Sequence, residues 1–217
     1  MAQPRPDLPT GFFVALEGPD GSGKTTQAAR LAAWLGATGR EVVACREPGG
    51  TALGERLRSI LLDRSDLVIG IRAEMLLFMA ARAQLVDQVI RPALARGSVV
   101  VVDRFLLSTV VYQGHAGGLD PGELWRVGLA ATAGLLPDLT LLVDVPPEVA
   151  RERIGPGRDR IEDRGEVWRG RVRAGFLGAA KDHPGPIVVV DGSGGVDEVS
   201  ARLQSEVTRA LAVAPRS

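Results

Sequence analysis

The sequence predicts an α/β fold: one domain with a five-stranded parallel sheet and helices on both faces. Three observations predict it. Five short apolar runs punctuate the 217 residues, and segments of helical periodicity separate them. Two of the runs, Ser98–Val102 (SVVVV) and Leu139–Val145 (LTLLVDV), are apolar nearly throughout, as in strands covered on both faces. Alternation of this kind along the whole chain implies parallel pairing through right-handed crossovers.

The first strand is Phe12–Leu16, too short for a helix and ended by Gly18-Pro19. A helix is predicted over Thr25–Gly36, where Ala28, Leu31, Ala32 and Leu35 recur on one face before Gly36 and Gly39. Glu41–Cys45 (EVVAC) is the second strand, and Pro48-Gly49-Gly50 turns the chain into a helix from about Thr51 to Leu62. Residues 72–96 form the longest helical stretch, with a break near Pro92 and a stop at Gly97. After the third strand, helical segments are predicted at 105–113 and 121–135. After the fourth, a helix starts at about Pro147. Pro186–Val190 (PIVVV) is the fifth strand and 196–212 the closing helix. All five strands are expected to be buried. Residues 154–160 (IGPGRDR) break the pattern, with two glycines, a proline and clustered Arg. Such a segment is a solvated connection or a mobile functional loop.

Composition excludes several classes. Twenty-six basic residues balance 26 acidic ones, which leaves no field to attract duplex nucleic acid. Cys45 is the only cysteine, so no intramolecular disulfide forms, and a reducing, cytoplasmic compartment is expected. No stretch reaches the ~18 apolar residues of a membrane span. Of the 26 basic residues only Lys24 and Lys181 are lysines, and one of them stands inside a glycine-rich loop.

That loop is Gly18-Pro19-Asp20-Gly21-Ser22-Gly23-Lys24-Thr25, followed by Thr26. It satisfies G-x-x-x-x-G-K-[ST] between a predicted strand and a predicted helix, the phosphate-binding P-loop arrangement. Glycines let successive N–H groups turn inward around an anion, and the helix start adds its positive dipole end. Lys24 is placed for the β- and γ-phosphates of a nucleotide, and the Thr25 hydroxyl for Mg²⁺. A guanine-reading N-K-x-D is absent.

The third strand runs into Asp103-Arg104. An acid at that strand end is placed to hold Mg²⁺ or its waters, and the Arg fork to grip a phosphate. Eight Arg fall within 151–173 against five acids, so most are solvated or paired. The group containing Arg153, Arg158 and Arg160 nevertheless has the Gly/Pro flanks of a lid that closes over the transferred phosphoryl group.

Five motifs in order complete the pattern: LEGPDGSGKTTQ (16–27), REPGGT (46–51), LLFMAARAQ (76–84), DRFLLSTVVYQG (103–114) and DRIE (159–162). With them the chain, from Phe12 to about Lys181, resembles the bacterial thymidylate kinases. The resemblance implies a three-layer P-loop kinase fold with strand order 2-3-1-4-5. It also implies a single domain over 1–217, with a short Arg-bearing lid at about 151–163 and residues 1–10 as a flexible extension. The implied activity is ATP- and Mg²⁺-dependent phosphorylation of dTMP for dTTP synthesis, by a homodimer. The nearest alternative is a small P-loop kinase acting on another nucleotide or nucleoside, and a non-catalytic nucleotide switch is the alternative from another class.

The resemblance places the P-loop, Gly18 to Thr26, on ATP. It places Phe78 and Arg82, one helical turn apart, on thymine. Arg58 and Arg104 then hold the dTMP phosphate, and Glu47 lies near the sugar or the transferred phosphate. Ser108, Thr109 and Gln113 lie near the base, and Tyr112 packs on the deoxyribose. Asp20 approaches the acceptor phosphate, so the late Arg must come from Arg153, Arg158 or Arg160. Thr25 and Asp103 form the metal site. The chain departs from common family residues at Ala81, Leu85, Phe105 and Phe176, and its lid loop is short.

Overall fold

The computed structural model describes residues 11–63, 67–154, 161 and 165–213. Strands β1 (Phe12–Glu17), β2 (Val42–Arg46), β3 (Val99–Asp103), β4 (Leu139–Asp144) and β5 (Ile187–Asp191) form one sheet. All neighbours are parallel and the order is 2-3-1-4-5, as the sequence predicts.

The strand period of two sorts each strand's side chains onto opposite faces. Val14, Leu16, Val101 and Val143 pack against α1 (Lys24–Ala37) and α9 (Val196–Val213). Phe13, Ala15, Val100 and Val102 point the other way, toward α3 (Ile71–Leu85) and the helical turns that follow it. Phe13 meets Phe105 edge-on, with ring centroids 5.0 Å apart. Leu142 enters a third cluster with Val111, Val172 and Phe176, the last two carried by α8 (Glu166–Ala179).

Among the described strands, the three central ones are deeply buried. The edge strands β2 and β5 are half-covered, because each has one neighbour and fewer helices above it. The long predicted helix at 72–96 is divided. α3 widens into a π-helical turn at Val86–Ile90 and resumes as α4 (Arg91–Ala95). Pro92 lacks an N–H and its ring crowds the carbonyl four residues earlier, which an α-helix cannot accommodate unbroken. The predicted segment at 105–113 is α5 (Leu106–Thr109) continued by a second π-helical turn, Val110–Ala116. α2 (Ala52–Leu62) and α7 (Pro147–Arg153) follow the predicted pattern, whereas α6 (Pro121–Ala131) stops short of the predicted 135, where Ala133 and Gly134 take positive φ in a turn. Thr51 caps α2 through Gly54 N, and Asp120 caps α6 through Glu123 N. α8 was absent from the sequence expectations.

Register brings the strand ends level: Leu16 pairs with Asp103 on one side and Leu141 on the other. The loops after β1 and β3 therefore emerge side by side at the carboxyl edge, where open α/β sheets bind ligands. Among the described residues, no helix is long and apolar enough to cross a membrane. Residues 1–10, and the loop positions Arg158 and Arg160, lie outside the described residues.

Candidate active site

The β1–α1 loop is a backbone cradle. Gly18 (φ 147°), Gly21 (φ 78°) and Gly23 (φ 86°) hold conformations that side chains disfavour. A Cβ on Gly18 would lie 2.4 Å from Val143 O, and one on Gly21 2.3 Å from Ala150 O. Gly23 caps α1 with no side-chain hydrogen bond. The helix's first N–H groups thus face the loop, an arrangement suited to phosphate.

Lys24 is buried beneath this cradle. Its Nζ donates to Pro19 O at 3.0 Å and lies 3.8 Å from Asp20 Oδ1. Burial, reinforced by Arg104, pulls its pKa down to about 8. Asp20 is an anion despite burial, because Arg104 and Lys24 outweigh desolvation and hold its carboxyl below the ordinary value. Asp20 Oδ1 is ion-paired with Arg104, and its Oδ2 accepts from Tyr112 OH at 2.7 Å.

Arg104 joins the two halves of the cleft. It stands at φ 68°, unusual for a residue with a side chain, in the turn leaving β3. Its N–H donates to Leu16 O at 2.9 Å. The guanidinium donates to Gly18 O (3.1 Å), Ser108 Oγ (3.0 Å) and Tyr112 OH (3.3 Å), and also lies over the Tyr112 ring. Beside it, Thr25 Oγ1 donates to Asp103 Oδ2 at 2.5 Å. Asp103 Oδ1 is buried without a hydrogen-bond partner among the described residues. A hydroxyl next to a carboxylate with one oxygen uncommitted can hold a hard divalent cation that phosphates also ligate.

The opposite wall is built from α2, α3 and the second π-helical turn. Arg82 is fully buried, yet its guanidinium is well satisfied. It donates to Glu47 Oε2 (2.7 Å), Phe105 O (3.0 Å) and Thr109 Oγ1 (3.1 Å). Burial pushes the Glu47 carboxyl up to about 7, opposed by Arg82, and its Oε1 has no hydrogen-bond partner among the described residues. Arg58 donates to Pro48 O at 2.9 Å. Gln113 Nε2 donates to buried Glu74 at 2.9 Å. Phe78 is half-buried at the same wall.

Lys24, Asp20, Arg104, Asp103, Glu47 and Arg82 line one cavity of about 640 Å³, with Arg58, Phe78 and Gln113 at one end and Gly194 and Val199 at the other. Most of the P-loop from Asp20 to Thr26 faces it. Gly18 reaches the site through its carbonyl bond to Arg104, and Pro19 through its bond to Lys24. Ser108 also lines the cavity, but its hydroxyl is engaged with Glu17 and Arg104. Arg153 lies at the far end, donating to Gly192 O (2.8 Å) and Gly194 O (3.2 Å).

Sequence reasoning missed three contributors. Glu17 is completely buried and bonded to the turn that carries Arg104. Glu74 fixes Gln113. Gln27 ties α1 to α9 through Val196 O and Ser200, shaping the glycine-bearing loop after β5. The acid closing FFVALE and the run DGSGG at 191–195 were the available signals.

Comparison with known proteins agrees with this geometry. The thymidylate kinase family model matches residues 16–203. A thymidylate kinase of Bifidobacterium longum (strain NCC 2705) is 46% identical over 200 residues, covering 91% of this chain and 97% of the relative. Another, of Leifsonia xyli subsp. xyli, is 49% identical over 197 residues, covering 89% and 93%. A third, of Caldanaerobacter subterraneus subsp. tengcongensis, is 45% identical over 183 residues, covering 84% and 88%. The chain belongs to the thymidylate kinase family.

Proposed function

We propose that this chain transfers the γ-phosphoryl group of ATP to the 5′-phosphate of dTMP, forming dTDP for dTTP synthesis. One observation carries the reading beyond the family. A single guanidinium, Arg104, meets the P-loop at Gly18 O and Asp20 and the acceptor wall at Ser108 and Tyr112. This supports a reading in which donor and acceptor phosphates meet beside Arg104.

In this reading the P-loop N–H groups and Lys24 hold the ATP phosphates. Arg104 and Arg58 hold the acceptor phosphate, which is already ionised near neutral pH, so no strong general base is required. The rate comes from alignment and charge neutralisation by groups fixed in advance. Asp20 and Tyr112 keep Arg104 aimed into the cleft, and Tyr112 covers the deoxyribose. Phe78 provides a ring for thymine to stack on. Arg82, held by Glu47 and Phe105 O, presents a fixed edge to the base beside Thr109 and Gln113. Mg²⁺, held by Thr25 and Asp103 directly or through water, would neutralise the β- and γ-oxygens. The late Arg group is assigned to the transferred phosphoryl group: Arg153 lines the far end of the cavity, and Arg158 and Arg160 lie outside the described residues.

The remaining assignments are a single kinase domain over 1–217, a cytoplasmic location, and a homodimer. Leu53, Ile60 and Leu76 on α2 and α3 are exposed apolar side chains that support the last. The test of function is ADP release with ATP and a panel of acceptors. Turnover should require dTMP and fall sharply with dCMP, dGMP, AMP or thymidine. Equal turnover with any of them refutes the substrate assignment.

A further inference from the structure

Glu17 is the last residue of β1, fully buried one position before the P-loop. Among the described residues, every hydrogen bond it accepts comes from the segment after β3. Oε1 takes Phe105 N–H at 2.8 Å and Ser108 N–H at 3.2 Å, and Oε2 takes the Ser108 hydroxyl at 2.5 Å. These N–H groups belong to the start of α5, where backbone donors have no intrahelical acceptor. A cap alone would account for Oε1. It does not account for Oε2.

A serine hydroxyl has one proton. With that proton directed at Glu17, the Ser108 oxygen turns a lone pair to Arg104, whose guanidinium donates to it at 3.0 Å. The order carboxylate, hydroxyl, guanidinium fixes the polarity of the chain. Burial raises the Glu17 pKa, while Ser108, Arg104 and the two N–H groups oppose it. Each of these neighbours is placed to favour a negative charge, and none needs a proton from Glu17.

We infer that Glu17 is a positioning residue for the acceptor phosphate, holding Ser108 as an acceptor so that Arg104 stays aimed at the transfer point. The inference rests on the proposed dTMP kinase reading and deepens it: Glu17 touches no substrate and acts through Ser108 and Arg104. It also explains how Arg104 keeps a positive φ, since Leu16 O, Glu17 and Ser108 pin the turn on three sides.

Glu17→Gln separates positioning from capping. The amide oxygen can still accept both N–H groups. The amide nitrogen, however, is a donor facing the Ser108 oxygen, which turns the hydroxyl proton toward a guanidinium that can only donate. kcat/KM for dTMP should fall roughly 10–100-fold, the size of a lost hydrogen bond to a charged group, while KM for ATP changes less than about threefold. Ser108→Ala breaks the same relay from its other end and should give the same dTMP-selective loss. The double variant should be no worse than the poorer single one, because both act on one chain. Dependence of wild-type turnover on dTMP is measured first, so failure of the kinase reading shows there and not in the variants. The inference is overturned by Glu17→Gln losing thermal stability with unchanged dTMP kinetics, or by ATP and dTMP parameters falling equally. Normal dTMP kinetics in Ser108→Ala, or multiplied losses in the double variant, overturn it as well.

Discussion

Replacing Arg82 with Met removes a guanidinium that is 1% exposed and holds three oxygens at once. Met fills much of the volume, so the effect is electrostatic. Glu47 is left buried with neither oxygen hydrogen-bonded among the described residues, since Oε1 already lacks a partner there. Breaking a buried ion pair by removing one member costs about 3–5 kcal/mol. For a chain of this size each kcal/mol lowers Tm by about 2–4 °C, so Arg82→Met should melt roughly 6–20 °C lower near pH 8. The deficit should depend on pH with a definite sign. In the folded wild type Glu47 titrates near 7, above its ordinary value of 4.5. The folded state therefore binds this proton more tightly than the unfolded state, and stability from this group falls as pH rises from about 4.5 through 7. Without Arg82 the folded pKa moves higher still. At pH 6 Glu47 in the variant takes up its proton and most of the penalty disappears. Thermal melts by circular dichroism at pH 6 and pH 8 read this directly, and adding Glu47→Gln should restore most of the pH 8 loss. A variant that melts like wild type at pH 8, or loses equally at both pH values with no relief from Glu47→Gln, refutes the reasoning.

Three further outcomes follow from the same geometry. Lys24→Ala should stay folded but lose kcat by roughly 10²-fold or more, since its charge acts mainly in the transition state; near-normal turnover removes the P-loop from the mechanism. Lys24 titrates near 8 when no polyphosphate faces it, and bound ATP raises that value. Calorimetry in two buffers of different ionisation enthalpy should then show proton uptake on ATP binding at pH 8.5 and none at pH 6.5. Equal enthalpies in both buffers at pH 8.5 would contradict the buried-lysine account. Phe78→Ala should raise KM for dTMP much more than KM for ATP, whereas an unfolded variant would make that ring a core residue only.

The sheet was readable because its central strands are continuous apolar runs, and the crossovers between them leave few ways to arrange it. Edge burial was not readable, since VVAC and IVVV look the same in sequence whether one neighbour or two flank them. α8 escaped notice because Gly165, Gly170, Gly175 and Gly178, with Arg169, Arg171 and Arg173 between them, hide its period; the buried Val172, Phe176 and Ala179 reveal it only once a third core cluster exists. Gly175 is required there, as a Cβ would lie 2.8 Å from His115. In the site, the phosphate cradle is a local motif and could be read locally. The partners of buried groups could not. Glu47 precedes Arg82 by 35 residues and Glu17 precedes Ser108 by 91, and only the crossovers bring them together. Sequence placed Ser108 near the base, while the structure engages its hydroxyl with Arg104 and Glu17.

The central claim is that one cleft passes a phosphoryl group from ATP to dTMP. ATP labelled at the γ-phosphate, incubated with the full chain, Mg²⁺ and dTMP, tests it most directly. The account predicts label in dTDP, appearing only when dTMP is present and absent from the Lys24→Ala protein. Label released as inorganic phosphate at a rate indifferent to dTMP, or carried to another nucleotide in preference to it, would contradict the account.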